Sequence, residues 1–173
     1  MLTELELGPT AATGADCDQL ALRKKMVQQL VIEVSEHEAV EEMHFWPAVR
    51  KALIDGTDLA NQALGQEQEG KELLARLDKL DPGDEGFEGL LATFLGAART
   101  HIAFEETTVW PSLRGVLTAA QSEDLGRELQ DAKKLAPTRP HPKTPASPTV
   151  LKSAGPAVAA VDRLRDAATG RDE

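Results

Sequence analysis

Apolar positions recur every three or four residues over most of the chain, which is the spacing of amphipathic helices. Asp16, with Gln19 three positions later, predicts the start of a long helical segment that runs to about Asp55. Pro47 predicts a kink or a stop within that segment, because proline lacks a backbone N–H. Three further helical segments are predicted over residues 58–80, 87–111 and 112–136, the last with a start signal at Ser122.

Short connections between these helices favour an all-α fold, an antiparallel up-and-down helical bundle over residues 1–136. Its first helix is shortened, because the helical pattern at the amino terminus breaks at Gly8 and Pro9. Residues 137–156 hold six of the ten prolines and are predicted as an extended linker without helix or sheet. Residues 157–173 are predicted as a short helix and tail.

The composition supports helices and limits the class of protein. The chain has 173 residues, only 3% of them aromatic, with no tyrosine, which argues against an all-β fold. Cys17 is the single cysteine, so an internal disulfide framework and a cysteine-rich metal site are excluded. The net charge of −10 argues against nucleic-acid binding. No stretch resembles a membrane span or a signal peptide, so we expect a cytoplasmic protein without a membrane partner.

One helical pattern occurs twice, 64 residues apart. His37 to Leu53 reads HEAVEEMHFWPAVRKAL, and His101 to Leu117 reads HIAFEETTVWPSLRGVL. The two segments share eight identities in seventeen positions and contain both tryptophans of the chain. Such a repeat in a bundle predicts two halves related by an approximate two-fold axis, with the repeated residues facing each other.

Each copy places a histidine and a glutamate four residues apart, on one face of a helix. His37 with Glu41 and His101 with Glu105 therefore form two chelating pairs that point into the bundle. Buried carboxylates without a cation would cost several kcal/mol, roughly 3–5 for an uncompensated charge. Imidazole and carboxylate together suit iron, manganese or zinc. Glu67, on the inward stripe of the intervening helix, is a candidate fifth ligand, or alternatively an acid at the edge of the bundle.

Other residues of the repeat leave alternatives open. Glu38 could bridge two metal ions from the edge of the site, and His44 is either a ligand or a partly buried, hydrogen-bonded histidine. Glu42 and Glu106 fall on a different face and are expected to be solvated or to support the ligands indirectly. The two Trp-Pro pairs are interpreted as packing and helix-ending elements. A cavity next to the metal site is predicted, with a wall made of Val34, Phe94, Ala97 and Phe104.

The segments HEAVEEMHFWPAVR and HIAFEETTVWPSLR resemble the paired signatures of the hemerythrin-like family, the HHE cation-binding domain. The APTRPHP stretch is similar to the tail of actinobacterial members. The resemblance implies a four-helix bundle with a non-haem diiron centre, oxo-bridged in some members, held by His37, Glu41, His101 and Glu105. It implies dioxygen, peroxide or nitric oxide as the small ligand.

The chain departs from that family in two places. Members usually contribute a histidine from the first helix. Residues 1–7 resemble only the end of that helix, so we expect either that the protein starts before Met1 or that its first helix is short. Glu67 stands where members usually carry a histidine in the third helix. The shortened first helix could also expose apolar surface and favour a homodimer.

These observations lead to one main hypothesis and two alternatives. The main hypothesis is a hemerythrin-like protein that binds one or two iron ions and handles or senses dioxygen, peroxide or nitric oxide. The first alternative is a metal-free bundle that acts as a structural or interaction protein. The second is a ferritin-like carboxylate oxidase, for which Glu41 and His44 supply one Glu-x-x-His motif, whereas Glu105 and Thr108 supply no second one. Whether the protein is an enzyme stays open.

Overall fold

The computed structural model describes residues 1–170, and within that range every regular element is helical. The predicted all-α helical bundle is therefore confirmed. None of the described helices is long and apolar enough to cross a membrane. The helices are α1 (Leu2–Leu7), α2 (Cys17–Val40), α3 (Trp46–Ala52), α4 (Gly56–Leu77), α5 (Phe87–Phe104), α6 (Trp110–Val116), α7 (Ala119–Lys133) and α8 (Pro148–Thr169).

The long helices α2, α4 and α5 form the body of the bundle, and the short α1 packs against α2 and α5. The predicted cap of α2 is present, since Asp16 accepts the backbone N–H of Gln19 while the Gln19 side chain accepts that of Asp16. Arg23, itself buried, donates to both carboxylate oxygens of Glu88 and to the carbonyl of Leu5. This arginine therefore ties α1 to α5 through α2.

Two apolar clusters fill the two ends of the bundle. One surrounds Leu74 and Phe94, and the other surrounds Phe45 and Trp46. Along α2, α4 and α5 the histidines and glutamates of the candidate site lie between the two clusters in sequence. Apolar packing therefore flanks the polar residues on both sides along the helices.

Both copies of the repeat contain a π-helical turn that begins at the second ligand candidate. The turns span Glu41–Phe45 and Glu105–Val109, and each leads directly into a seven-residue helix, α3 or α6, whose second residue is the repeated proline. Neither Pro47 nor Pro111 ends the helical backbone, so of the two predicted outcomes at Pro47, a kink or a stop, the stop is wrong. The wider π turn is a known way to accommodate a local break in the helical hydrogen-bond pattern, and such turns concentrate at functional sites.

The carboxyl-terminal part is more helical than its sequence indicates. Helix α7 begins at Ala119 rather than near Ser122, because Thr118 and Gln121 form a capping box. Helix α8 begins at Pro148, so the last residues of the predicted linker are helical. Proline is well tolerated in the first turn of a helix, where its missing N–H has no partner, and α8 continues past Pro156. Residues 171–173 of the predicted tail lie outside the described residues.

Residues 137–147, here called the covering segment, connect α7 to α8 in sequence and contact both α4 and α8 in space. Arg139 donates its Nε to Asp166 at 2.8 Å and forms an ion pair with Asp78 at 3.5 Å. His141 pairs with Asp162 through Nε2 at 2.8 Å. Both α8 aspartates are fully buried, so the covering segment is held to the bundle by enclosed charges.

Candidate metal centre

The structure brings the five predicted ligand residues together in two groups. His37, Glu41 and Glu105 form one group, and Glu41, Glu67 and His101 form the other. Within each group the ligand atoms lie within 4.8 Å of one another. Glu41 belongs to both groups, so the two sets of side chains meet at one carboxylate.

The two oxygens of Glu41 face different histidines. Its Oε1 lies 3.1 Å from Nε2 of His37, and its Oε2 lies 3.9 Å from Nε2 of His101. Glu105 approaches the same nitrogen of His101, with Oε1 at 3.8 Å. His101 is enclosed, with 12% of its side chain exposed, whereas 55% of the His37 side chain is exposed. One end of the site is therefore open to solvent and the other is covered.

His101 is held in the state that a metal ligand needs. Its Nδ1 donates to Oε1 of Gln66 at 3.0 Å, so Nε2 presents its lone pair to Glu41 and Glu105. Burial, followed by the charge of His37, lowers the pKa of His101 to about 4. The ring is consequently neutral at physiological pH.

Glu67 lies inside the bundle, not at its edge. Its residue is fully buried, and its Oε1 accepts a hydrogen bond from the indole N–H of Trp46. The sequence indicated a packing role for Trp46. The structure adds a second role, because Trp46 also orients a carboxylate on α4. Its ring also meets that of His101 edge-on, with centroids 6.4 Å apart.

The carboxylates of the site disfavour their charged form. Burial raises the pKa of Glu41 well above its ordinary value, and the neighbouring Glu105 and Glu67 raise it further. Burial is also the main cause of the raised pKa of Glu67, followed by the charges of Glu38 and Glu42, and of the raised pKa of Glu105. A cation placed among these groups would reverse this preference, because it stabilises the ionised form.

Several buried atoms of the site have no hydrogen-bond partner. They are Oε2 of Glu41, Oε2 of Glu67, Nε2 of His101 and Oε1 of Glu105. Leaving a buried acceptor unpaired costs about 1–3 kcal/mol. Because these atoms converge and all can act as acceptors, the arrangement fits a bound metal cation.

A buried ion pair adjoins the site and was missed by the sequence reasoning. Glu42, which was expected to be solvated or to play a supporting role, is buried and forms an ion pair with the buried Lys71. Lys71 lies one helical turn after Glu67, and this spacing was the available signal. Glu106, by contrast, is exposed. The equivalent positions of the two repeats therefore differ, since Glu42 is buried against Lys71 and Glu106 is exposed.

Two candidates of the repeat lie outside both groups. Burial raises the pKa of Glu38 to about 8, with Lys71 opposing the rise, but its carboxylate is in neither group. His44 points to α7, where its Nδ1 lies 3.4 Å from Oε2 of Glu128. This is the partly buried, hydrogen-bonded alternative considered for His44.

A cavity of about 100 Å³ adjoins the two groups. Val34, Phe94 and Ala97 line it, as the sequence predicts, together with His37 and His101. Phe104 does not line the cavity. It packs instead against the apolar cluster around Trp46, because its position on α5 turns it toward that end of the bundle.

Comparison with known proteins agrees with this architecture. An uncharacterized hemerythrin-like protein of Schizosaccharomyces pombe is 29% identical over 139 residues, which are 80% of this chain and 68% of that protein. No solved structure matches the chain. Residues 1–113 match the family described as the hemerythrin HHE cation binding domain. Since this match covers well over half of the chain, the protein belongs to the hemerythrin HHE cation-binding domain family.

Proposed function

We propose that the bundle binds two iron ions and uses them to handle or sense dioxygen, peroxide or nitric oxide. His37, Glu41 and Glu105 would hold one ion, and Glu41, Glu67 and His101 the other. The observation that carries this proposal is the convergence of unpartnered, buried nitrogen and oxygen atoms between two groups that share Glu41.

The donor set supports iron but also suits manganese and zinc. It holds two imidazoles and three carboxylates, with neither thiolate nor thioether. The family membership adds a cation-binding function to this chemistry. When bound, iron would supply exchangeable coordination positions and redox chemistry.

The protein's own residues prepare the site for a small molecule. The cavity beside His37 and His101 has walls from Val34, Phe94 and Ala97, which are apolar and limit the water that can enter. Its volume of about 100 Å³ leaves room for a molecule as small as dioxygen, peroxide or nitric oxide. His37 stands at the exposed side, so a small molecule would pass this histidine on its way in.

The test is metal analysis of protein purified from iron-supplemented cells, together with a near-ultraviolet spectrum. The wild type is expected to contain iron and to show absorption from a coupled iron pair. His101→Ala should lower the iron content, whereas the control His44→Ala should not, because His44 pairs with Glu128 outside the two groups.

Protein without bound metal and without such absorption would overturn the proposal. Thermal stability that does not respond to chelators, with His37→Ala and His101→Ala neutral, would point instead to a metal-free structural or interaction protein.

A further inference from the structure

A cleft of about 330 Å³ lies where the end of α4, the covering segment and α8 meet, and its lining is rich in basic side chains. Lys79 follows the end of α4, and Arg165 belongs to α8. Arg139, His141 and Lys143 come from the covering segment. The family match ends at residue 113, so most of these basic residues lie in a part of the chain beyond the matched domain.

Two of the basic residues are already paired with carboxylates. Arg139 pairs with the buried Asp166 at 2.7 Å, and His141 pairs with the buried Asp162 at 2.8 Å. Asp78, the one acidic residue among the described lining residues, lies 3.5 Å from the same arginine. The acidic groups of this region therefore face Arg139 and His141.

Three further cations of the cleft have no such partner. Within the described part of the chain, Lys79, Lys143 and Arg165 form neither an ion pair nor a side-chain hydrogen bond, and all three are exposed. The whole chain has a net charge of −10, so this excess of cations is a local feature of the cleft. Charges more than about 8 Å away are largely screened at physiological ionic strength, so the nearby cations dominate the field that an anion meets here.

The turn that carries Lys143 is fixed to the bundle. The backbone N–H of Thr144 donates to the carbonyl of His141 at 3.0 Å, and Pro142 occupies the second position of this turn. Gln68 of α4 donates to the carbonyl of Pro142 at 3.0 Å. The backbone of Lys143 is therefore held at the cleft by contacts within the protein.

We propose that this cleft binds a phosphate group, either in inorganic phosphate or in a small phosphate ester. Three cationic side chains suit a ligand with two negative charges and several acceptor oxygens, and the guanidinium of Arg165 can donate two parallel hydrogen bonds to one phosphate. Acetate and chloride carry one charge and match fewer of these donors. The volume of the cleft is roughly ten times the share of about 30 Å³ that one water occupies, so a small organic group fits beside the phosphate. Among the described residues, the cleft shares no lining residue with the metal cavity, so the two sites are separate.

The test is isothermal titration calorimetry of the full chain with inorganic phosphate and with glycerol 3-phosphate, at a constant ionic strength. Saturable binding to a single class of sites is expected, and acetate should bind at least several-fold more weakly. Lys143→Gln and Arg165→Gln should each raise the dissociation constant for phosphate several-fold, because each removes a charged donor from the cleft. Tighter binding of the ester would identify an organic phosphate as the ligand, and tighter binding of inorganic phosphate would identify phosphate itself.

Lys152→Gln is the matched control, because it removes the same charge from an exposed lysine of α8 that does not line the cleft. This variant should keep the affinity of the wild type, and so should His101→Ala, which removes a candidate metal ligand. Unsaturable binding, equal binding of acetate, or equal weakening in Lys143→Gln and Lys152→Gln would reveal only general attraction of counter-ions and would overturn the inference. Loss of phosphate binding in His101→Ala would assign the phosphate to the metal centre and would overturn it as well.

Discussion

Trp46 donates its indole N–H to the carboxylate of Glu67, so the tryptophan of the first repeat supports a candidate ligand on a different helix. The equivalent Trp110 instead packs its ring on Phe45, with centroids 4.7 Å apart. The repeat is therefore symmetric in sequence but not in the use of its tryptophans, since Trp46 donates to a carboxylate whereas Trp110 packs on an aromatic ring.

Replacing Trp46 with phenylalanine tests this relationship. Trp46→Phe removes the donor that orients Glu67, and loss of such a supporting hydrogen bond typically weakens metal affinity about 10- to 100-fold. Competition with a chelator of known affinity measures the effect. Trp110→Phe is the matched control and should retain the affinity of the wild type. Equal affinity of both variants would mean that the indole does not support the metal centre.

The sharing of Glu41 predicts unequal losses of metal. Glu41→Ala affects both groups and should reduce the metal content from about two ions per chain to nearly none. His37→Ala affects only the group with Glu105 and should retain about one ion per chain. Elemental analysis of dialysed protein gives these ratios, with the exposed Glu106→Ala as control. A loss in His37→Ala as complete as that in Glu41→Ala would contradict two separable groups.

Removing one partner of the buried Lys71–Glu42 pair should lower the free energy of unfolding more than replacing both partners with apolar residues. Lys71→Met leaves the carboxylate of Glu42 buried without its cation and should lower the free energy of unfolding by about 3–5 kcal/mol. The double variant Lys71→Met with Glu42→Leu should recover much of this loss, since neither charge remains. Urea unfolding of the metal-free proteins measures both values. A double variant as unstable as Lys71→Met alone would rule out a coupled pair.

The stability of the metal-free protein should fall as the pH rises. Burial raises the pKa of Glu38 from an ordinary value of 4.5 to about 8. A carboxyl group with a higher pKa in the folded state contributes its full stability below the unfolded pKa and loses it as the pH rises toward the folded pKa. The window is therefore about pH 4.5 to 8. Urea midpoints across this range should decline less in Glu38→Gln than in the wild type. Glu33→Gln, which changes an exposed glutamate, is the control. A decline in Glu38→Gln as large as that in the wild type would show that Glu38 is not the cause of the pH dependence.

The helices and the repeat were accessible from the sequence because both depend on local spacing. A helical period of 3.6 residues places His37 above Glu41, and His101 above Glu105, wherever the helices end up. The cap at Asp16 is equally local, since its partner Gln19 is three residues away. These features needed no knowledge of how the helices pack.

The carboxyl-terminal helix shows where a local argument failed. Prolines at 148 and 156 predicted an extended linker, but α8 runs from Pro148 to Thr169. The buried Asp162 and Asp166 of this helix pair with His141 and Arg139 of the covering segment. These contacts join residues more than twenty positions apart, so composition alone gave no sign of them.

The sequence by itself determined the helical bundle, the two His-Glu pairs and the family resemblance. Only the tertiary structure decided that Glu41 belongs to both groups, that Trp46 donates to Glu67 and that Lys71 pairs with Glu42. The physical reason is that local periodicity fixes which residues share a face of one helix. Distances between side chains on different helices depend on how those helices pack, which the spacing along one chain segment does not specify.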